Sequence, residues 1–204
     1  MADRFIAVSG NIGVGKTTLV SYLGNRYGLT PIYEPFGDNP YLDDFYADMK
    51  RWAFHSQMWF LSRKFRMHQE LGRTPGVFLQ DRTIYEDAEI FATHLKHARK
   101  MNARDFDTYL EAYEAMKGSL QPPDLMIYLR CSVRAIRKRI RKRGRASEQD
   151  IPARYLRKLN ELYEDWIERY DDSPKLIWDT EKLDYLSDLV HQIEFHKAIN
   201  KFLS

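Results

Sequence analysis

The chain has 204 residues, of which 44% are hydrophobic and 30% are charged, and its formal net charge is +3. This composition excludes a disordered chain, and the small net charge gives no sign of a nucleic-acid-binding protein. The length suits one domain with a sizeable core, so we expect a single domain over residues 1–204.

Cysteine content and hydropathy bear on the cellular compartment. Cys131 is the only cysteine, so no internal disulfide can form, and a lone cysteine fits a reducing compartment. No apolar run approaches the roughly 18 residues of a membrane span, and no hydrophobic leader precedes the first predicted strand. The sequence therefore predicts a cytoplasmic protein that does not contact a membrane.

Five short apolar runs separated by helical stretches predict an α/β fold. Buried strands that alternate with helices are typical of a parallel sheet covered on both faces. We therefore expect a five-stranded parallel sheet flanked by helices. The predicted strands are Phe5–Ser9, Thr30–Tyr33, Val77–Gln80, Leu125–Leu129 and Leu176–Trp178.

A glycine-rich segment separates the first predicted strand from a stretch, Thr18 to Tyr27, that can form a helix. Glycines let backbone N–H groups converge on phosphate oxygens, and a helix N-terminus adds partial positive charge. Lys16 can reach the terminal phosphates, and the Thr17 hydroxyl can hold Mg2+. A chance match in a turn is the alternative, but the flanking elements favour a nucleoside triphosphate site. The segment has the P-loop pattern G-x-x-x-x-G-K-[ST] and contains Gly10, Asn11, Ile12, Gly13, Val14, Gly15, Lys16 and Thr17.

The longest helical stretch runs from about Pro40 to Leu71. It exceeds about 25 residues, so it is either one long helix or two helices with a kink. A second helical region runs from Ala103 to Met116. Both carry large aromatic side chains that could form a subunit interface, and we expect a homodimer.

Acidic side chains follow two of the predicted strands. Glu34 comes after the second strand, and Asp81 and Arg82 come after the third. The carboxyl ends of parallel strands meet at one edge of the sheet, so both acids should face the P-loop. An isolated carboxylate here could equally be a capping or salt-bridging group. Two carboxylates and an arginine beside a P-loop favour phosphoryl transfer, in which an acid orients the acceptor and Arg82 contacts the migrating group.

A basic segment from Arg134 to Arg145 follows the fourth strand. It could be a lid that clamps phosphates, a solvated helix face or a nucleic-acid-binding patch. Because it ends in Arg143-Gly144-Arg145 before a polar loop, we favour the lid and do not expect nucleic acid as a partner. Arg139 and Arg143 are four residues apart, which places them on one helix face where they could stabilise transition-state charge.

These motifs together resemble those of the deoxynucleoside kinases, which transfer the γ-phosphate of ATP to the 5′-hydroxyl of a deoxynucleoside. The resemblance spans nearly the whole chain and implies a P-loop kinase fold, ATP as donor, Mg2+ as cofactor and an Arg-rich lid at about 139–151. The segments that carry it are Gly10–Thr18, Glu34-Pro35, Asp81-Arg82-Thr83 and Arg139 to Glu148.

The resemblance also implies roles for individual residues at the transfer end. Glu34 matches the carboxylate on the 5′-hydroxyl, and Arg82 matches the arginine at the same end. Asp81 matches an acid that acts as proton acceptor or organises Mg2+, so we expect both acids to be catalytic and Thr17 with Asp81 to bind the metal. Thr18 and Thr180 match ATP-binding positions, with Asp179-Thr180-Glu181-Lys182 resembling the loop around the adenine.

Further matches concern the sugar and the base. Tyr46 and Glu148 resemble the pair that holds the 3′-hydroxyl, and Gln57 resembles the residue that hydrogen-bonds the base. Tyr46 and Gln57 are 11 residues apart, which at about 100° per residue would bring them to nearly the same face of one helix.

The expected base is a purine. Asp87 matches an aspartate that purine- and cytidine-accepting members use at the base, where an arginine lies two helical turns after the glutamine. This chain has Lys64 at that position, and Arg63 is one residue early. The run from Asp81 to Asp87 is most similar to bacterial purine deoxynucleoside kinases, so we expect deoxyadenosine or deoxyguanosine as acceptor, with Arg63, Lys64 and Arg145 as further candidate contacts.

The sequence fits three other interpretations less well. A nucleoside monophosphate kinase of the thymidylate type needs an acceptor-phosphate site, and Glu34 would repel that phosphate. A P-loop switch protein would need a residue that orients a hydrolytic water. His94 and His97 could mimic a metal-binding pair, but surface histidines are the simpler interpretation.

Overall fold

The computed structural model describes residues 4–181 and 188–203. One sheet has the strand order β2-β3-β1-β4-β5, and every neighbouring pair is parallel. The predicted α/β class and five-stranded parallel sheet are thus confirmed, with no strand end shifted by more than one residue. The strands are β1 (Arg4–Ser9), β2 (Thr30–Ile32), β3 (Val77–Asp81), β4 (Leu125–Arg130) and β5 (Lys175–Asp179).

Helices flank the sheet and connect the strands. A π-helical segment, Asp87–Ala92, connects the fourth and fifth helices, so that the three segments form one continuous helical stretch. In chain order the helices are α1 (Lys16–Tyr27), α2 (Leu42–Ala47), α3 (Met49–Leu71), α4 (Ile84–Glu86), α5 (Thr93–His97), α6 (Ala103–Lys117), α7 (Val133–Arg143), α8 (Ala146–Gln149), α9 (Ala153–Arg169) and α10 (Leu189–Leu203).

The central strand β1 is buried on both faces, because successive strand side chains point in opposite directions. Phe5 and Ala7 pack with side chains of α3, α6 and α9. Ile6 and Val8 pack on the other face with side chains of α1, α7 and α10. The near-continuous apolar sequence of β1 therefore follows from having a helical layer on each side.

The stretch from Pro40 to Leu71 forms two helices. Asp48 has φ −141° and ψ 82°, which ends α2, and its carboxylate accepts a hydrogen bond from the backbone N–H of Arg51 at 3.2 Å to cap α3. A capping aspartate thus sets the break that the sequence left open.

The second helical region is α6, one residue longer than predicted. Tyr109 and Tyr113 of this helix are buried in the core of the single chain. The homodimer stays a prediction.

No helix within the described parts of the chain is long and apolar enough to cross a membrane.

Substitution of Leu79 tests the double-sided burial of the sheet. Leu79 of β3 is fully buried beneath α1, so we expect Leu79→Ala to lower the free energy of unfolding by about 3 kcal/mol. The matched control is Ile177→Ala in β5, whose side chain is 40% exposed and which should cost less than about 1 kcal/mol. Urea unfolding measures both, and equal losses would contradict the described packing.

Candidate active site

The carboxyl ends of β1, β2 and β3 meet at one edge of the sheet. Val8 lies opposite Asp81 in the parallel register, and Ile32 lies opposite Gln80. Glu34 follows β2 by two residues, so it reaches the same edge. The P-loop and both acidic side chains line a single cavity of about 900 Å³. The structure therefore brings together the groups that the strand pattern placed at this edge.

Two P-loop glycines are required by close approaches of the backbone. Gly10 has φ +139°, and a Cβ there would lie 2.7 Å from the carbonyl oxygen of Leu129. Gly13 has φ +77°, and a Cβ there would lie 2.6 Å from Cγ1 of Ile140. Both positions combine a left-handed conformation with a lack of space, so only glycine fits.

Lys16 begins α1 and reaches back across the loop. Its Nζ donates to the backbone oxygens of Gly10 at 2.8 Å and Asn11 at 3.1 Å. Burial, assisted by the nearby Arg82, lowers the pKa of Lys16 to about 8. A bound polyphosphate would favour the charged ammonium, because it supplies negative charge to a buried cation.

The side chain of Asn11 supports the loop. Its amide donates to the backbone oxygen of Leu156 at 3.0 Å and to Oδ1 of Asn160 at 3.1 Å, both on α9. Its Oδ1 accepts from the backbone N–H of Ile12 at 2.8 Å. The sequence predicts that Asn11 binds ATP, and in the structure two of its side-chain bonds tie the P-loop to α9 while the third stabilises the loop itself.

Thr17 and Asp81 form the predicted pair for a metal ion. The Thr17 hydroxyl donates to Oδ2 of Asp81 at 2.5 Å. Oδ1 of Asp81 is buried, and no residue that the structure describes bonds it. A hydroxyl and a carboxylate with a spare buried oxygen suit Mg2+, which prefers oxygen ligands and usually keeps substrate phosphates in its shell.

Arg82 has a strained backbone and a fixed side chain. Its φ is +64°, which is uncommon for a residue other than glycine, and its N–H donates to the backbone oxygen of Val8 at 3.0 Å. Nη1 contacts both carboxylate oxygens of Glu34, at 3.1 Å and 3.0 Å. The guanidinium also lies 4.6 Å above the ring of Phe91. Strain of this kind clusters at functional sites, where surrounding contacts maintain it.

Glu34 is held in its charged form. Burial alone would raise its pKa, but Arg82 and Lys64 outweigh burial and bring the pKa down to about 2. The carboxylate is therefore ionised at neutral pH. A carboxylate with so low a pKa is a weak base, so it is better suited to accept a hydrogen bond from a hydroxyl than to remove its proton early.

Glu86 is a site residue that our sequence analysis missed. It is fully buried, and Oε1 accepts from the Tyr163 hydroxyl at 2.9 Å and from the N–H of Gly10 at 3.4 Å. Oε2 accepts from the N–H of Thr83 at 2.9 Å, which completes a capping box on α4. The pattern Thr83-x-x-Glu86 is the signal that could have identified it. Glu86 thus ties the start of the P-loop to the segment that carries Arg82.

Gln57, Lys64 and Asp87 form a second buried polar group. Gln57 and Asp87 line the cavity, and each has a buried oxygen, Oε1 and Oδ2 respectively, without a hydrogen-bond partner among the described residues. Lys64 Nζ contacts Oδ1 of Asp87 at 2.6 Å. Neither Arg63 nor Lys64 lines the cavity, but Arg63 is exposed whereas Lys64 is buried and pairs with Asp87 and Glu34, so the structure favours Lys64. One residue of helix rotates a side chain by about 100°, which separates the two.

Tyr46 and Gln57 do not share a face of one helix, so this prediction is wrong. Tyr46 belongs to α2 and Gln57 to α3, and the break at Asp48 means that no continuous helix face connects them. Both nevertheless line the cavity. Tertiary packing of the two helices, rather than helical periodicity, brings them to the same site.

Arg139 connects the basic helix α7 to the P-loop and to Thr180 after β5. Its Nη1 donates to the backbone oxygen of Val14 at 2.7 Å and to the Thr180 hydroxyl at 2.8 Å, and its Nη2 donates to the Thr180 backbone oxygen at 2.7 Å. Arg139 therefore clamps the P-loop to the residues after β5. Lys182, which we placed in the adenine loop, lies outside the described residues.

Glu148 pairs with two arginines at the end of the basic segment. Its carboxylate forms ion pairs with Arg143 and, at 3.4 Å, with Arg145. It forms no hydrogen bond with Tyr46 among the described contacts, although it contributes after burial to raising the pKa of Tyr46 to about 12. Lys142 also lines the cavity and was not among the predicted site residues. An ion pair between Arg143 and Glu148 therefore links α7 to α8 within the predicted lid. Closure of the lid over the cavity stays a prediction.

His94 is buried, and the expectation of a surface histidine is wrong for this residue. Its ring lies edge-on to Tyr155, with the ring centres 4.6 Å apart. The described residues contain no group of three or more histidine, cysteine or acidic side chains able to hold a metal. His94 therefore serves the packing beside the cavity wall.

A P-loop that opens onto the same cavity as an arginine-bound carboxylate defines a phosphotransferase of the P-loop kinase class. The family model described as "Deoxynucleoside kinase" matches residues 6–204, and the chain belongs to that family.

Individual relatives agree with this assignment. The chain is 38% identical over 188 residues to the deoxyadenosine/deoxycytidine kinase of Bacillus subtilis (strain 168), covering 91% of this chain and 87% of the relative. It is also 38% identical over 191 residues to a deoxyguanosine kinase of Lactobacillus acidophilus, covering 89% and 83%. The solved structure of deoxyadenosine kinase from M. mycoides with bound dATP has a TM-score of 0.84 and 30% identity, covering 98% of this chain and all of that chain.

Replacing the arginine-bound carboxylate tests the site. Glu34→Gln keeps the shape of the side chain but removes the charge, so we expect turnover to fall at least about a hundredfold. Binding of ATP should change little, because Glu34 lies on the acceptor side. Glu111→Gln on the exposed face of α6 is the matched control. Steady-state kinetics with thermal unfolding measures this, and near-normal turnover of Glu34→Gln would show that the carboxylate is not catalytic.

Proposed function

We propose that this deoxynucleoside kinase transfers the γ-phosphate of ATP to the 5′-hydroxyl of a purine deoxynucleoside, either deoxyadenosine or deoxyguanosine. The product is a deoxynucleoside monophosphate, as expected of an enzyme of nucleotide salvage. The observation that carries this proposal is the placement of Glu34, held by Arg82 at 3.0 Å in the same cavity as the P-loop.

The donor side is suited to a triphosphate. The N-terminus of α1 and the P-loop N–H groups offer a site for phosphate oxygens, and Lys16 lies within the loop. Further cations line the cavity from the basic helix and the segment after it: Arg139, Lys142, Arg143 and Arg145. Such charge around the γ-phosphate stabilises the transition state of phosphoryl transfer, which needs positioning and electrostatics more than covalent chemistry.

Mg2+ fits the pair formed by Thr17 and Asp81. The hydroxyl and the unpaired Oδ1 of Asp81 are the protein groups that would hold it. When bound, the metal would neutralise charge on the donor phosphates. The hydrogen bond between Thr17 and Asp81 also orients both side chains and holds the end of β3 next to the start of α1.

Many of the side chains that line the cavity on the acceptor side are aromatic. Glu34 would accept a hydrogen bond from the 5′-hydroxyl and align its oxygen with the γ-phosphate, while Arg82 holds the carboxylate and stabilises developing charge. The proton would leave late, in keeping with the low pKa of Glu34. Aromatic side chains that line this side, and that suit a planar base and a sugar, are Phe36, Phe45, Phe60, Phe91 and Tyr155.

The sugar and base contacts follow from the remaining cavity residues. Tyr46 and Glu148 both line the cavity, which supports our proposal that they bind the 3′-hydroxyl. Gln57 and Asp87 offer unpaired oxygens to N–H groups of the base, and the Gln57 amide can also donate. The relatives named as deoxyadenosine and deoxyguanosine kinases support a purine acceptor. A cytoplasmic homodimer remains our expectation for the assembled enzyme.

Acceptor choice can be measured directly. We expect ATP-dependent phosphorylation of deoxyadenosine or deoxyguanosine with kcat/KM at least about tenfold above that of thymidine, because a good polar contact to a base is worth about 1–3 kcal/mol. A panel of the four deoxynucleosides and their monophosphates, followed by product chromatography, gives the ranking. A preference for thymidine would refute the purine assignment, and turnover of monophosphates alone would indicate a nucleoside monophosphate kinase.

The acceptor site should also respond to pH. Burial raises the pKa of Asp87 to about 6 against the opposing effect of Lys64. The other ionisable groups that affect this carboxyl or lie beside it are Glu34, Arg82 and Tyr109. A raised carboxyl pKa means that Asp87 is an ionised acceptor above about pH 6 and is protonated below it. We expect kcat/KM for deoxyadenosine, whose amino group donates, to fall as pH drops through this range.

Asp87→Asn is the control for this pH dependence. The variant cannot ionise, so its lower kcat/KM should stay level across the range in which the parent enzyme loses activity. The same fall in both proteins would show that another group causes it.

A further inference from the structure

Lys64 has two acidic partners that belong to different parts of the acceptor site. Its side chain comes from α3 and has no exposed surface. Nζ lies 2.6 Å from Oδ1 of Asp87 and 3.2 Å from Oε1 of Glu34. One ammonium therefore joins the residue proposed for the base to the residue proposed for the 5′-hydroxyl.

The four buried charges form an ordered chain of contacts. Asp87 contacts Lys64, Lys64 contacts Glu34, and Glu34 contacts Arg82 at 3.0 Å. Within the described residues, Lys64 is the only ion-pair partner of Asp87, whereas Glu34 has two. A buried carboxylate depends strongly on its counter-ion, so Asp87 depends on Lys64, and at 2.6 Å against 3.2 Å Asp87 is also the nearer of the two partners of Lys64.

Oε1 of Glu34 is held from two sides. Nη1 of Arg82 lies 3.1 Å away and Nζ of Lys64 lies 3.2 Å away. An acceptor hydroxyl needs close alignment with the donor phosphate, and small displacements of an orienting group cost much of the rate. A contact that fixes the position of Lys64 therefore also affects how Glu34 aligns the acceptor hydroxyl.

We propose that Lys64 is a positioning residue that couples base recognition at Asp87 to the orientation of Glu34 at the site of phosphoryl transfer. A base that donates to the unpaired Oδ2 of Asp87 completes the hydrogen bonding of that carboxylate and fixes Oδ1 on Lys64. Lys64 then holds Glu34 in place for the 5′-hydroxyl. This inference rests on the proposed function, and it makes recognition of the base affect turnover as well as binding.

A lysine and an arginine would contact the two carboxylates with different geometry. The ammonium has three N–H donors on a compact charge, and two of them serve the two carboxylates. An arginine at this position would still carry the charge and can contact both acids through its fork. Lys64→Arg is therefore the conservative variant, and Lys64→Met removes the charge while keeping a similar length.

The experiment measures kcat and KM separately for the preferred deoxynucleoside. We expect Lys64→Met to lower kcat at least about 30-fold, and Lys64→Arg to recover at least half of that loss on a logarithmic scale. Asp87→Asn should lower kcat about tenfold although Asp87 has no described bond to Glu34. Lys158→Met, which alters an exposed lysine on α9, is the matched control and should keep kcat within about twofold.

Two results would overturn the proposal. One is a Lys64→Met enzyme whose kcat stays within about threefold while KM rises, because Lys64 would then only bind the base. The other is an unchanged kcat in Asp87→Asn, and this variant decides the question if thermal unfolding shows that Lys64→Met does not fold. Failure of the parent enzyme to phosphorylate any deoxynucleoside would instead refute the proposed function, so the two failures are distinguishable.

Discussion

The parallel register of β1, β2 and β3 is the constraint on which the site depends. It places Asp81 opposite Val8, two residues before Gly10, and brings Glu34 to the same edge from the neighbouring strand. Because the sheet is buried under helices on both faces, a shift of one residue would turn apolar side chains from one layer into the other. The packing of the core therefore also fixes the distance between the donor loop and the acceptor acids.

Charge burial is the second organising feature, and it follows from the first. Glu34, Lys64, Arg82 and Asp87 are all removed from most solvent contact, and each pairs with at least one of the others. Separately each charge would be costly to bury, whereas the paired set carries no net charge. Pairing keeps Glu34 ionised, while deeper burial leaves Asp87 able to titrate near pH 6. Two carboxylates in one cavity thereby acquire different properties from their surroundings.

Backbone strain and polar support complete the transfer end. Arg82 adopts a left-handed conformation that few arginines have, and its contacts with Val8, Glu34 and Phe91 maintain it. Glu86 joins this segment to the first glycine of the P-loop. The P-loop and the segment that carries Arg82 are therefore connected through the Glu86 carboxylate and the backbone bond from Arg82 to Val8, which favours a site that is already arranged before substrates bind.

Much of this site was determined by the sequence. The P-loop pattern and the acids after the strands depend on local order along the chain and on the rule that parallel strands end at one edge, so Lys16, Thr17, Glu34, Asp81 and Arg82 could be placed in advance. Glu86 could also have been found, because its capping box is a local pattern.

Only the tertiary structure decided the rest. Helical periodicity could not show that Asp48 ends α2, so Tyr46 and Gln57 reach the cavity through helix packing rather than along one face. A difference of one position separates exposed Arg63 from buried Lys64, and the orientation of α3 in the fold determines which side chain reaches Glu34 and Asp87. The bridge that Lys64 makes between Glu34 and Asp87 joins three distant segments, and contacts of that kind are set by the folded core and not by local sequence.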